Sequence, residues 1–167
     1  MNGPSVESSA RHGRGRLYLA FRIDGDRYAL DCAQVVEVLG RVPLKQLPGT
    51  PDCVAGLLDY RGHPVPVIDV SAAAGAAPAP RLTSSRLAVV HYAPDGRETP
   101  HLLGLILAGA TDTLWLDPDG FEPAGLRQDG APFLGPVIRD GLGLIQRADV
   151  GLMLGEAVRA MLYPEAS

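Results

Sequence analysis

The sequence predicts a mainly β protein built as two related five-stranded lobes. Three observations carry this. LYLAFRI alternates Leu17, Leu19, Phe21 and Ile23 with Tyr18, Ala20 and Arg22, the period of a half-buried strand. No amphipathic helix longer than two or three turns stands out. The two halves also resemble each other: GLLDYRGHPVPVIDV from Gly56 and GPVIRDGLGLIQRADV from Gly135 each carry a second glycine, Gly62 and Gly141, before an apolar strand ending in Asp-Val. Upstream, YALDCAQVVEVL from Tyr28 parallels LGLILAGATDTLWL from Leu103, so matched points lie 75 to 80 residues apart. Five short strands per lobe suit a small closed barrel, which leaves no long exposed edge.

In chain order, residues 1–16 read as a disordered tail, rich in Ser, Gly and Arg with little to bury. Order begins at Leu17, and one domain of two lobes is expected over residues 17–163. Asp24-Gly25 joins two alternating runs as a tight hairpin turn. CAQVVEVL reads as a helical turn leading into a strand. Pro43, Pro48 and Pro51 make RVPLKQLPGTPD an extended loop with little pairing. VAGLLDYRGHPVPVIDV is strand, turn and strand, and Pro64 and Pro66 place their missing donors on one side of an edge. After a small-residue loop over residues 71–80, SRLAVVHYA is a strand. PDGRETP is a turn, and HLLGLILAGATDTLWL reads as two more strands. Residues 117–136 read as loop, and LGLIQRADVGLML as a last strand with a helical turn.

Composition narrows the function. Of 167 residues, 46% are hydrophobic, and 15 basic against 19 acidic residues give a net charge of -4. That lacks the basic field that nucleic acid or an anionic membrane surface attracts. Fourteen of the cations are Arg and only Lys45 is Lys, a bias that fits an Ala, Gly and Pro-rich composition more than a chemistry. No secretory signal is visible, and no apolar stretch reaches the roughly 18 residues of a membrane span. Cys32 and Cys53 are expected as reduced thiols in a cytoplasmic protein.

Candidate chemistry is sparse. Asp59 and His63 flank a turn and offer an acid-base pair for a small hydrolase. Its candidate nucleophiles, Ser71, Cys53 and Cys32, have no nucleophile setting such as G-x-S-x-G. His12, His63, His91 and His101 lie far apart and no C-x-x-C occurs, so no metal site is expected. AAAGAAPAP and GLGL do not form a phosphate loop, and no cofactor is expected. Arg61 differs. Its planar fork at a turn tip suits a carboxylate, within the chain or across an interface, and Glu37, the one charge in VVEV, is the candidate partner. Gly62 fits a turn needing positive φ, and Gly56 a close approach of backbone. Trp115, the one Trp, reads as core.

DGDRYALDCAQVVEVL, TPDCVAGLLDYRGHPVPVIDV and LLGLILAGATDTLWL together resemble the CheW-like family of bacterial chemotaxis coupling proteins. The resemblance spans residues 17–162. It is strongest at Val54, Gly56, Arg61, Gly62, Pro66, Val67, Ile68 and Asp69, and softer at Gly104. It implies two SH3-like five-stranded barrels sharing a core, and no enzymatic activity. It implies an adaptor between a chemoreceptor's cytoplasmic helical hairpin and the regulatory domain of a CheA-type histidine kinase, recruited to membrane-associated receptor arrays. Val35, Glu37 and Arg61 match the family's interface positions, and Gly56, Gly62 and Gly104 its structural glycines. Asp59 stands where the family usually has Asn, and is expected to pair with Arg61. With a Gly/Pro-rich 120–136 stretch and no long C-terminal helix, this points to a specialised pathway such as surface sensing or twitching control.

Overall fold

The computed structural model describes residues 15–80, 84–94, 100–126 and 129–164. Most of the expected tail and most of the PDGRETP turn lie outside them. The described chain forms nine strands: β1 (Arg16–Ile23), β2 (Asp26–Asp31), β3 (Val35–Leu39), β4 (Val54–Tyr60), β5 (His63–Asp69), β6 (Arg86–Tyr92), β7 (His101–Leu116), β8 (Leu134–Asp140) and β9 (Gly143–Ala148). Two short helices, α1 (Val70–Ala73) and α2 (Glu156–Leu162), accompany them.

The strands make two five-stranded lobes. Lobe 1 runs β3-β6-β7-β5-β4, and lobe 2 runs β7-β1-β2-β9-β8. HLLGLILAGATDTLWL is therefore one strand of 16 residues, not two. Its first half pairs with β5 and β6, and its second half with β1. Gly109, at φ 62, marks the passage between them, opposite a register shift in β1 between Ala20 and Arg22. β8 lies partly inside the stretch read as loop. Its start is irregular because Gly135 and Pro136 fall in a register shift between Leu134 and Val137.

The repeat is visible in the ladders. Ile68 pairs in parallel with Leu105, and Ala148 pairs in parallel with Leu30. Asp69 N–H donates to the Cys53 carbonyl at 2.8 Å, and Asp149 N–H to that of Phe133 at 2.7 Å. The 45–57 bridge, two backbone bonds of 2.8 Å, has its counterpart between residues 122 and 137. Strands β4 and β5 thus repeat 80 positions later, and β2 repeats 75 positions later. The extra five residues fall between the second half of β7 and β8, two of them before the bridge at residue 122. One sequence match shifts: Tyr60 pairs with His63 and Asp140 with Gly143, which sets Gly62 against Leu142 and not against Gly141.

Each repeat gives its first two strands to one lobe and the rest to the other. The core follows from this exchange. Leu58, Tyr60, Val65, Val67, Leu87 and Val89 fill lobe 1. Tyr18, Ala29, Leu116 and Ile145 fill lobe 2. Leu19, Phe21, Leu30, Ile68, Val90 and Leu105 belong to a larger cluster shared between the lobes. Strands with one face in a lobe and one in the shared core are buried on both sides, so they read as continuous apolar runs. That corrects β1, where Tyr18 on the supposed outer face is buried and Leu17 only half so. At the C-terminal end, Tyr163 closes α2. Its hydroxyl donates to the Leu102 carbonyl at 2.6 Å, and its ring stacks on Tyr92 and His101. Burial pushes that phenol's pKa far up.

Candidate functional site

The β4–β5 hairpin turns on two residues, Arg61 at φ 51 and Gly62 at φ 82. Two consecutive positive φ values are the geometry of a tight hairpin turn, which glycine adopts at no steric cost and Arg61 adopts with strain. The Asp59 carboxylate accepts from the Gly62 N–H at 3.1 Å and holds the turn. It does not pair with Arg61 as expected, because the turn's own N–H lies three residues on and claims it.

Arg61 reaches Glu37 instead. Its Nη2 lies 3.3 Å from Glu37 Oε2, and the same oxygen accepts from the Tyr60 hydroxyl at 2.6 Å. The Arg61 guanidinium also lies 5.2 Å from the Tyr60 ring centre, within cation–π range. The hydrogen bond to Glu37, reinforced by burial, raises the pKa of the Tyr60 phenol, which therefore stays a donor. The Arg61 side chain is 74% exposed and that of Glu37 36%. Tyr60 is fixed in the lobe 1 core below them. The pair is thus an exposed charge feature mounted on a buried ring.

Glu37 lies in β3, where alternation turns Val35, Glu37 and Leu39 half inward and leaves Val36 and Val38 exposed. Val42 follows on the connecting segment, also exposed. β3 is the terminal strand of its sheet path. An end strand with outward valines is a surface a partner can cover. Val35 packs on the shared core and pairs with Val90. Read as an apolar strand with one charge, VVEVL points to Glu37, and the family resemblance adds Val35. Its period-2 alternation was the signal for Val36 and Val38. Tyr60 was missed because a Tyr inside an apolar strand looks like core, which its ring is.

The glycines differ in what they do. A Cβ on Gly56, at φ 145, would sit 2.5 Å from the Lys45 carbonyl oxygen, which accepts from Leu57. A Cβ on Gly104 would sit 2.8 Å from Val67 Cγ2, its cross-strand neighbour in β5. Gly62 has open space around it, and only its φ demands glycine.

The hydrolase arrangement is not assembled. Asp59 serves the turn backbone, His63 opens β5 in an exposed position, and Ser71 is buried behind Asp69 at the start of α1. Burial raises the pKa of both thiols, with Asp31 adding to the effect at Cys32, which disfavours a nucleophilic thiolate. A cavity of about 1050 Å³ in lobe 1 is lined by Arg41, Asp52, Asp69, Ser85 and Arg86 and takes in neither His63 nor Asp59. Among the described residues no three His, Cys, Asp or Glu side chains gather as a metal site, and no helix is long and apolar enough to cross a membrane. Trp115, expected in the core, is 55% exposed, on a half of β7 where Thr111, Asp112 and Thr113 are exposed as well.

Known proteins agree with this architecture. The chain is 25% identical over 120 residues to the chemotaxis protein CheW of Rhizobium meliloti (strain 1021), covering 71% of this chain and 74% of that protein. It is 24% identical over 120 residues to the chemotaxis protein CheW of Klebsiella aerogenes, covering 72% and 69%. The fold matches the crystal structure of the scaffolding protein TtCheW from Thermoanaerobacter tengcongensis with a TM-score of 0.74 at 22% identity, over 86% of this chain and 90% of that one. Residues 17–157 match the CheW-like domain, and the chain, with its two SH3-like lobes, belongs to the CheW-like family.

Proposed function

We propose that this chain is a non-enzymatic adaptor of a chemotaxis or related surface-sensing pathway, coupling a chemoreceptor's cytoplasmic hairpin to the regulatory domain of a CheA-type histidine kinase. One observation carries the reading beyond family membership: the outward face of β3, where Val36 and Val38 stand in water beside the exposed Arg61–Glu37 pair. Apolar surface rimmed by a charge pair is how a specific, modest-affinity contact is built. The valines supply burial, and the charges select the partner and its orientation. Val35, Glu37 and Arg61 are the interface positions. Gly56, Gly62 and Gly104 hold the strands that present them. The mechanism is scaffolding: separate surfaces hold receptor and kinase together in a cytoplasmic array, and receptor state shifts the kinase population.

The test is calorimetric titration of the protein with the regulatory domain of its genomic-neighbour histidine kinase and with the receptor hairpin. Wild type should bind both at micromolar affinity, and Arg61→Glu and Glu37→Arg should each weaken one of the two contacts at least tenfold. Wild type that binds neither would leave the chain with the fold and without this function.

A further inference from the structure

The exchange of strands between the repeats makes one surface of this molecule unusual. Residues 15–77 hold β1 to β5, and residues 78–164 hold β6 to β9. Neither piece contains a whole lobe. Lobe 1 needs β3, β4 and β5 from the first piece and β6 and half of β7 from the second. Lobe 2 needs β1 and β2 from the first and the rest from the second. Four ladders therefore cross between the pieces: β1 to β7, β2 to β9, β3 to β6 and β5 to β7. The shared core crosses as well, with Leu19, Phe21 and Ile68 from the first piece against Tyr92, Leu105 and Phe133 from the second. All six are buried. The covalent connection, by contrast, passes through the exposed residues Ala77 and Pro78.

We infer that the two repeat units are each other's binding partners, and that the surface between them is sufficient to hold the fold without the connection at 77–78. Each unit alone leaves open strand edges and half of an apolar core, the condition under which a chain stays unfolded until its complement arrives. Supplied with the complement, it closes four ladders and the core in one step. Because the surface recognises a unit and not a particular chain, a unit released from one molecule fits its complement from a second copy of this chain.

The test keeps the full chain. A protease recognition sequence is inserted between Ala77 and Pro78, and the folded protein is cut afterwards. The uncut insertion protein should melt like the parent. If the insertion itself lowers the melt strongly, the same sequence placed between Ala76 and Ala77 serves instead. After cutting, the two fragments should co-elute as one body. Their melting temperature should rise with each tenfold increase in concentration, as it does for associated chains and does not for the uncut protein. Two differently tagged cut samples, denatured together and refolded, should give mixed pairs in statistical proportion. Fragments that separate on elution at micromolar concentration would overturn the inference. So would one fragment keeping its β circular dichroism and a cooperative melt when isolated, since that unit would then not need the other.

Discussion

The β4–β5 and β8–β9 hairpins hold the same place in the two lobes, and they use charge in opposite ways. At the β8–β9 tip, Arg27 from β2 donates two hydrogen bonds to the two Asp140 oxygens, each 2.7 Å, with side-chain exposures of 16% and 28%. Asp140 also accepts from the Leu142 N–H at 2.8 Å. At the β4–β5 tip, Arg61 makes a single 3.3 Å contact to Glu37 in the open. A forked, half-buried pair that reaches from β2 past β9 to the end of β8 fastens a fold, whereas a single long contact in water contributes little to stability and is free to re-pair. Lobe 2 has closed its hairpin with charge. Lobe 1 has kept its charge on display and closes with the Asp59 carboxylate on the turn backbone.

The largest test of this contrast lies at Gly56. Gly56→Ala places a methyl group 2.5 Å from the Lys45 carbonyl oxygen at a φ that alanine resists. Urea denaturation should show a loss of about 2–4 kcal/mol. The counterpart position 80 residues on is Pro136, so lobe 2 already accepts a side chain at its own bulge. Asp140→Asn comes next. The Arg27 guanidinium holds the Asp140 carboxyl at about 2, below its ordinary 3.8. A depressed folded-state pKa gives stability that is fully present above the unfolded value and is lost as pH falls through the folded one. Wild type should therefore lose about 1–2 kcal/mol between roughly pH 4 and pH 2. Asp140→Asn should lose it at neutral pH and show a flatter acid profile, read by denaturant midpoints across pH. Tyr60→Phe removes the 2.6 Å bond to Glu37 and should lower the midpoint by less than Asp140→Asn, since the ring stays packed. The smallest stability effect belongs to Arg61→Glu, whose midpoint should match wild type while partner binding falls. If Arg61→Glu destabilised the fold as much as Asp140→Asn, the two tips would be doing the same job.

Much of this was open to a reader of the sequence. The Asp24-Gly25 turn, with φ 51 and 84, stands where its dipeptide predicts. The repeat offsets of 75 and 80 were visible as a drift in spacing. The Arg61–Glu37 contact followed from asking what an arginine at a turn tip and a lone glutamate in a strand have to bind. Two of the features that stayed hidden depend on how strands from different repeats meet. The unity of β7 cannot be read locally, because a small-residue passage such as Ala108-Gly109-Ala110 looks like a turn until strands lie on both sides of it. The Arg27–Asp140 pair joins residues 113 apart, and no local pattern announces it. Trp115 was misplaced because apolarity alone does not decide burial.

β7 has a mechanical meaning. A 16-residue strand has a contour length of about 50 Å. It runs unbroken from one lobe into the other with β6 hydrogen-bonded along its first half and β1 along its second. A pull that separates the lobes stretches this backbone, together with the shorter crossing from β2 to β3, and loads the ladders that flank β7 in shear, where many hydrogen bonds must fail together before anything slides. Tension applied to one lobe therefore passes to the other along β7 as it would through a stiff tie.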